Sequence, residues 1–390
     1  MLDRSKYWFA LSSLSLTLSC NTQDPANSTT AAATEPGSSS AVNDQTTDAA
    51  TPEPDTSGAT GNSAEGTEST GEGQADSTGP GVPDLVPKSL VIALDGLRGD
   101  GIPMSNTPNI DALLDGTWAP GYQGAAAWDA WCLTDAVTDS APNHHAIMTG
   151  ATATQSGVEG NQDYPNGDLE NFPHYLTVME AIDPSYNTAK LFTYPRDREI
   201  DAFPDYKLDF TDEGNADNMA AIVAQTYEDH RETDEGGDDH NMGTSWDLGT
   251  DPDALFLFFD EIDAVGHGAG WSTEAYFDAV SVVDEQLGRV FTAIRERPTF
   301  DEESWLIIIT SDHGGLNNGH GPQDIDRLTI PFVVVGRSVN PGALPSGGER
   351  LPEPPPGATR NLDTVPTVFD HHGIPIPPEL TGVSRLLGAE

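Results

Sequence analysis

Three scarcities set the first limits on this chain. Cysteine occurs twice in 390 residues, at Cys20 and Cys132. The two are not expected to pair, so the fold does not lean on crosslinks. Basic side chains are also few: 17 Lys and Arg stand against 63 Asp and Glu, for a formal net charge of −46. Such a surface repels phosphate backbones and argues against a nucleic-acid binder. The acidity reads as a solvated surface. It leaves room for a small anionic substrate, because bound metal ions invert the local field. Long apolar runs are missing too. The stretch Tyr7 to Leu18 is too short to cross a bilayer as a helix. No internal repeat is visible.

Arg4 and Lys6 precede that stretch, which is the layout of a secretory signal. It ends Leu16-Thr17-Leu18-Ser19-Cys20. This resembles the bacterial lipoprotein signal, with Thr17 where Leu is usual, and so implies a lipid anchor on Cys20. An ordinary signal peptide with an incidental cysteine is the alternative. Residues 21–86 are Ser, Thr, Gly, Ala, Pro, Asp and Glu with almost no apolar content. They cannot bury enough surface to offset their ordering entropy and read as a tether. The expectation is an exported protein, held at the cell envelope if Cys20 is lipidated, with one catalytic domain at 87–390.

Within that domain strands and helices alternate. A first strand is expected at Ser89 to Leu94. A helix follows with Thr107 as N-cap and Pro108 at its first position, stopping at Gly116. A second helix begins just after Ser140. Phe172 to Ile182 reads as a helix and Ala189 to Tyr194 as a strand. Pro195 to Thr250 turns polar, apart from an expected helix at Asn215 to Tyr227, and reads as a cap insertion (about 195–250). Ala254 to Phe259, Trp305 to Thr310 and Ile330 to Val335 are near-continuous apolar strands, as in parallel sheets covered on both faces. Thr273 to Arg297 is a long amphipathic helix. The pattern predicts an α/β fold, doubly wound, with a mostly parallel sheet and helices on both faces. Ligands in such sheets sit at the C-terminal strand ends.

Six residues gather at or beyond those ends: Asp95, Asp263, His267, Asp312, His313 and His320. Asp263 and His267 stand four apart across a Gly turn. Asp312 and His313 are adjacent, with Gly314-Gly315 after them, and His320 lies between glycines. Mixed carboxylate and imidazole sets suit two divalent metal ions, zinc first, with manganese or iron as alternatives. Ser140 sits where a nucleophile is expected. The acidic run 232–239 lacks calcium-loop spacing and reads as a solvated loop.

These residues carry a resemblance. Ser140-Ala141-Pro142-Asn143-His144 is similar to the Thr-Phe-Pro-Asn-His nucleophile motif of the type I phosphodiesterase / nucleotide pyrophosphatase branch of the alkaline phosphatase superfamily. Thr149-Gly150, Gly157-Val158, the run from Thr107 to Asp111 and the run from Ile330 to Gly336 fit its continuation. The resemblance implies an alkaline phosphatase-like fold from Val86 to Glu390. It assigns one metal to Asp263, His267 and His320, and the other to Asp95, Asp312, His313 and the Ser140 oxygen. Asn161 falls at the spacing of an Asn that hydrogen-bonds a non-bridging phosphoryl oxygen. The implied reaction is attack of Ser140 on the phosphorus of a small phosphorylated substrate, then hydrolysis of the phosphoryl-serine. The helix start after Ser140 is expected to add N–H groups for the anion.

Departures are visible. Ser replaces the usual Thr, Ile262 stands where Pro is common, and no Arg accompanies Ser140. His144 and His145 read as packing or supporting residues, and Cys132 as a buried filler or a thiol near the site. Trp128 and Trp131 read as pocket lining or core. Thr134 and Thr138 read as loop residues, and Arg196 and Arg198 as solvated. His371-His372 reads as a pair whose charge complements a helix C-terminus. The function expected is a metal-dependent phosphodiesterase or nucleotide pyrophosphatase. A phosphomonoesterase or phosphotransferase of the same superfamily is the alternative. A sulfatase is disfavoured, since His144 stands where those enzymes need Arg. A tethered, non-catalytic binding protein is the least favoured alternative; a missing ligand residue would support it, and none is missing.

Overall fold

The structure, a computed structural model, describes residues 85–193, 211–226, 251–347 and 354–386. Residues Ser77–Glu390 form one compact unit, while Met1–Asp76 falls outside the described residues. Outside them as well lie the expected signal with Cys20, the tether up to residue 84, most of the cap with Arg196 and Arg198, and the acidic run 232–239. In chain order the elements are β1 (Val86–Leu94), α1 (Gly101–Met104), α2 (Pro108–Leu114), β2 (Gln123–Trp131), α3 (Ser140–Thr149), α4 (Ala153–Ser156), α5 (Tyr175–Ile182), β3 (Thr188–Leu191), α6 (Asp212–Val223), β4 (Ala254–Phe259), α7 (Glu261–Ala269), α8 (Glu274–Arg295), β5 (Glu303–Thr310), α9 (Ile325–Leu328), β6 (Thr329–Gly336), β7 (Gly342–Ala343) and α10 (Thr364–His371).

The strands form one seven-stranded sheet in the order β3-β4-β1-β5-β6-β2-β7. Every pairing is parallel except those of β6, which runs antiparallel to β5 and β2. Side chains alternate between the two faces. Leu90, Ile92, Leu257 and Ile309 pack with α2, α6 and α8 on one side. Val91, Phe256, Ile308 and Val334 pack with α3, α5 and α10 on the other. Helices on both faces explain why the strands are apolar without alternation.

Two strand expectations need correction. The apolar run of β6 does not make it parallel, since continuous apolarity reports burial on both faces and carries no direction. The strand β2 was not among the expected elements; its alanines are poor strand formers. It brings Trp131, fully buried, into the core, and half-buried Trp128 packs on the opposite face. Element ends also shift: α5 starts at Tyr175, β3 ends at Leu191, and α6 runs from Asp212 to Val223.

The start of α2 is capped from a distance. Thr107 occupies the N-cap position but makes no capping bond. Instead the Asp284 carboxylate of α8 accepts the N–H groups of Asn109 at 3.1 Å and Ile110 at 2.8 Å, and the Asn109 carboxamide at 2.9 Å. Asp284 is buried. Asp284→Ala leaves these donors unpaired and is expected to cost about 1–3 kcal/mol in urea unfolding. A loss below about 0.5 kcal/mol would show that water replaces the carboxylate.

Two minor expectations resolve. Cys132 is buried, with Sγ 3.8 Å from the Arg327 carbonyl, and burial pushes its thiol up, so it is an unreactive filler. His371 and His372 do not complement the end of α10 as cations. Burial lowers both, His372 to about 3, and their Nε2 atoms meet the Ser304 carbonyl and the Ser89 hydroxyl at 2.8 and 2.9 Å. They are neutral hydrogen-bonding groups.

Candidate metal centre and nucleophile

Three neighbouring parallel strands, β4, β1 and β5, end side by side, and the candidate ligands leave from those ends. Asp95 follows β1 directly, and its N–H donates to the Phe259 carbonyl at the end of β4 at 2.8 Å. Asp312 and His313 follow β5. Asp312 is fully buried; its Oδ1 accepts the N–H groups of Gly96 at 3.0 Å and His313 at 2.8 Å. Backbone amides thus fix this carboxylate from both sides.

Asp263 and His267 are not separated by a turn. They lie on α7, one helical turn apart, with His267 Nε2 3.4 Å from Asp263 Oδ2. Gly266 sits inside this helix because of what packs on it: a Cβ there would lie 2.5 Å from the Trp271 indole. Gly96 is equally constrained. Its φ is +67°, and a Cβ would lie 2.9 Å from Asp263.

The three imidazoles share one arrangement. Nδ1 of His267, His313 and His320 meets the carbonyls of Asn318, Gly314 and Thr138 at 3.1, 3.0 and 2.8 Å. Donation from Nδ1–H leaves Nε2 as the inward-facing acceptor, the tautomer a metal ligand needs. His320 Nδ1 also lies 3.5 Å from the Asp139 carboxylate. Donor atoms of Asp263, His313 and His320 fall within 4.8 Å of one another, as do those of Asp95, Asp312 and His313. His313 therefore faces both groups, where the expected division gave it to one. The rings of His313 and His320 stack at 3.9 Å, and His267 stands 5.0 Å from His320 at the more exposed edge.

Charge in this cluster is unbalanced. Burial, then Asp312 and Asp263, pushes Asp95 well above the usual carboxylate range. Asp263 is pushed up to about 6, chiefly by burial. Asp312 is held well below its ordinary value against its own burial, by His313 and His144. Burial drops His313 to about 4. Asp95 Oδ1, Asp263 Oδ1 and Asp312 Oδ2 are buried and make no hydrogen bond. Three buried carboxylates with orphaned oxygens, facing imidazole Nε2 atoms, are what divalent cations neutralise. The donor set fits two such ions.

Ser140 opens α3, with Asp139 as the N-cap, so the serine is not the capping residue. Its Oγ lies 3.3 Å from His313 Nε2, at the junction of the two groups. The motif residues hold it there. Asn143 Oδ1 accepts from Leu133 N at 2.9 Å and from the Asn361 carboxamide at 3.0 Å. Thr138 ties this loop to that of His320, its Oγ1 accepting the Gly321 N–H at 2.8 Å. Asn161 Oδ1 accepts the Ala141 N–H at 2.9 Å. The Ala141 N–H is thus taken up by Asn161 and Pro142 has none, so of the first three residues of α3 only Ser140 has an N–H left for an anion.

Residues beyond the expected set also reach the site. His144 Nε2 lies 3.4 Å from Asp95 Oδ2 and 3.2 Å from Asp312 Oδ2, with its ring edge on Phe258. It braces the two carboxylates. Its place in the quoted motif was the available signal. Trp271 had none, being one aromatic residue after a glycine.

Comparison with known proteins gives the family and the fold. The model of the type I phosphodiesterase / nucleotide pyrophosphatase family matches residues 89–328. Mouse ectonucleotide pyrophosphatase/phosphodiesterase family member 7 is 26% identical over 242 residues, which is 58% of this chain and 49% of that protein. A 2,3-bisphosphoglycerate-independent phosphoglycerate mutase of Desulforudis audaxviator is 31% identical over 144 residues, 34% of this chain and 23% of that protein. The chain thus spans half or less of the length of these relatives. Among solved structures, an inactive murine ectonucleotide pyrophosphatase/phosphodiesterase 5 in complex with AMP superposes with a TM-score of 0.53 at 14% identity, covering 75% of this chain and 96% of that one. A 2-O GAG sulfatase gives 0.53 at 16% identity, covering 77% and 73%. At such identities the structural likeness establishes the alkaline phosphatase-like fold alone.

Proposed function

This chain belongs to the type I phosphodiesterase / nucleotide pyrophosphatase family, and from that premise we propose that it hydrolyses phosphoric diesters through a phosphoryl-Ser140 intermediate. The observation that carries the reading is the position of Ser140 Oγ, 3.3 Å from His313 Nε2 where the two candidate ligand groups meet. Asp263, His267 and His320 would hold one divalent cation, and Asp95, Asp312, His313 and Ser140 the other, with zinc as the preferred metal. When bound, the pair supplies positive charge beside the Ser140 hydroxyl and the departing oxygen.

The chain's own residues do the rest. Ser140, the first residue of α3, places its Oγ beside His313 among the candidate ligands. The Ser140 O–H proton passes to solvent, and a bond forms from Oγ to phosphorus as the bond from phosphorus to the leaving oxygen breaks. That oxygen takes a proton from water, and the second alcohol stays on the phosphoryl group until water attacks. Asn161, oriented by its bond to Ala141 N–H, offers its NH2 to a non-bridging oxygen. Water then cleaves the Oγ–P bond and restores Ser140. His144 keeps Asp95 and Asp312 apart and in place.

Phosphodiesterase is the activity for which the family is named, and it is the basis for expecting the diester. The test is metal content together with turnover of bis-p-nitrophenyl phosphate, p-nitrophenyl phosphate and p-nitrophenyl sulfate. About two zincs per chain and preference for the diester are expected. Preference for the monoester would move the protein to the phosphatases. Sulfate turnover would overturn the reading, and release of product only with an added alcohol acceptor would make it a phosphotransferase.

A further inference from the structure

Three separate segments carry the candidate ligands: the turn after β1, the helix α7, and the loop after β5. One side chain touches all three. Trp271 is fully buried just beyond α7. Its indole Nε1–H donates to the Gly96 carbonyl at 2.8 Å, one residue after Asp95. Its ring lies against Gly266, between Asp263 and His267, and against Gly315, two residues after His313; a Cβ at these glycines would come within 2.5 and 2.1 Å of the indole. Its backbone N–H donates to the Asn317 carbonyl at 2.9 Å, in the loop leading to His320. The ring centroid is 5.1 Å from the His267 imidazole, edge to face, and 6.4 Å from that of His320.

Resting on the two-metal reading above, we infer that Trp271 is the positioning residue of the metal centre: a rigid wedge that sets the separation between the Asp95, Asp263–His267 and Asp312–His320 segments. A planar ring of fixed size does this better than hydrogen bonds alone. It has two torsions, both locked here, and any change in its width moves two backbones at once. The glycines at 266 and 315 are the complement. They let backbone, and with it the neighbouring ligand side chains, approach the ring faces directly. The Gly96 carbonyl has a second donor, Tyr276 Oη, at 3.0 Å, so the first segment is gripped by two aromatic residues of the same neighbourhood. The indole touches neither the Ser140 hydroxyl nor a candidate donor atom at bonding distance, so its effect runs through the ligands.

The experiment compares wild type, Trp271→Phe, Gly266→Ala and Tyr276→Phe, using full-length protein loaded with Zn2+ or Co2+. Phe at 271 keeps an aromatic ring but narrows the wedge and removes the Nε1–H. Zinc affinity, read by chelator competition, is expected to fall at least tenfold, in the range typical of residues that orient ligands. At saturating Co2+ the visible absorption bands are expected to shift, because the ligands meet the ion at altered angles. Lost stability alone changes the amount of folded protein and leaves band positions unmoved. Wild-type affinity and an unshifted cobalt spectrum in folded Trp271→Phe overturn the inference. If that variant does not fold, Gly266→Ala decides in the same way, since its Cβ would press on the indole and shift α7 against the wedge. Tyr276→Phe leaves the Trp271 bond to the Gly96 carbonyl in place and is expected to keep the wild-type affinity and spectrum. Wild-type protein that binds neither ion would instead overturn the two-metal reading itself.

Discussion

Replacing Ser140 by Ala is expected to lower turnover of a diester by roughly a thousandfold or more while metal content stays near that of the wild type. The structure makes this a clean substitution. Only Oγ is removed, and that atom is nearly buried and faces His313 Nε2. Ser140 is the first residue of α3 rather than its cap, and Ala is a good helix former, so the helix keeps its start. The bonds that hold the loop come from Asn143, Thr138 and Asn161, and the substitution leaves all three in place. A second readout separates nucleophile from mere neighbour. Wild-type protein quenched in acid during turnover of a diester should retain on Ser140 a phosphoryl group that still carries the second alcohol, and the variant should retain none. Full activity in Ser140→Ala would remove the serine from the mechanism and point to direct attack by water.

The second large effect is expected at Asp312. Asp312→Asn should drop metal content from about two ions toward one and reduce turnover by roughly a thousandfold, on the order of 4 kcal/mol of lost transition-state stabilisation. The carboxylate is fully buried and serves two purposes. Oδ1 takes the Gly96 and His313 amides, and Oδ2 faces His144 and His313 at 3.2 and 3.3 Å. An Asn oxygen can still accept the two amides, so the fold is retained. Its NH2 then stands where a cation needs an anion, and the charge is gone. Measured metal content separates this from a local packing defect. Two ions per chain and wild-type rates in Asp312→Asn would mean that Asp312 only braces the loop.

Much of the site was legible because its parts are local in the chain. Asp95 and Asp312 follow apolar strands, and strands that carry five apolar residues in a row are read easily. The Ser140 to His144 motif and the spacing to Asn161 were equally visible. Where reading failed, the cause was contact across the chain. Gly266 suggested a turn between Asp263 and His267. It is helical because only a glycine lets α7 lie on Trp271, some residues further on. Thr107 looked like a cap, but Asp284, on a helix far along the chain, supplies the bonds. His371 and His372 looked like cations at a helix end, yet the start of β1 and the start of β5 bury them as neutral groups. In β6 the apolar run was clear and its direction was not, since burial on two faces looks the same either way along a strand.

The sequence by itself determined the class of the fold and named the candidate metal ligands and the candidate serine, because these depend on side-chain chemistry and on periodicity along the chain. Only the tertiary structure decided that His313 faces both ligand groups, that His144 braces Asp95 and Asp312, that the Ala141 amide is spent on Asn161, and that Trp271 joins three ligand-bearing segments. Each of these is a distance between residues remote in sequence. Such distances are fixed by packing of the whole sheet and its helices, which no local pattern records.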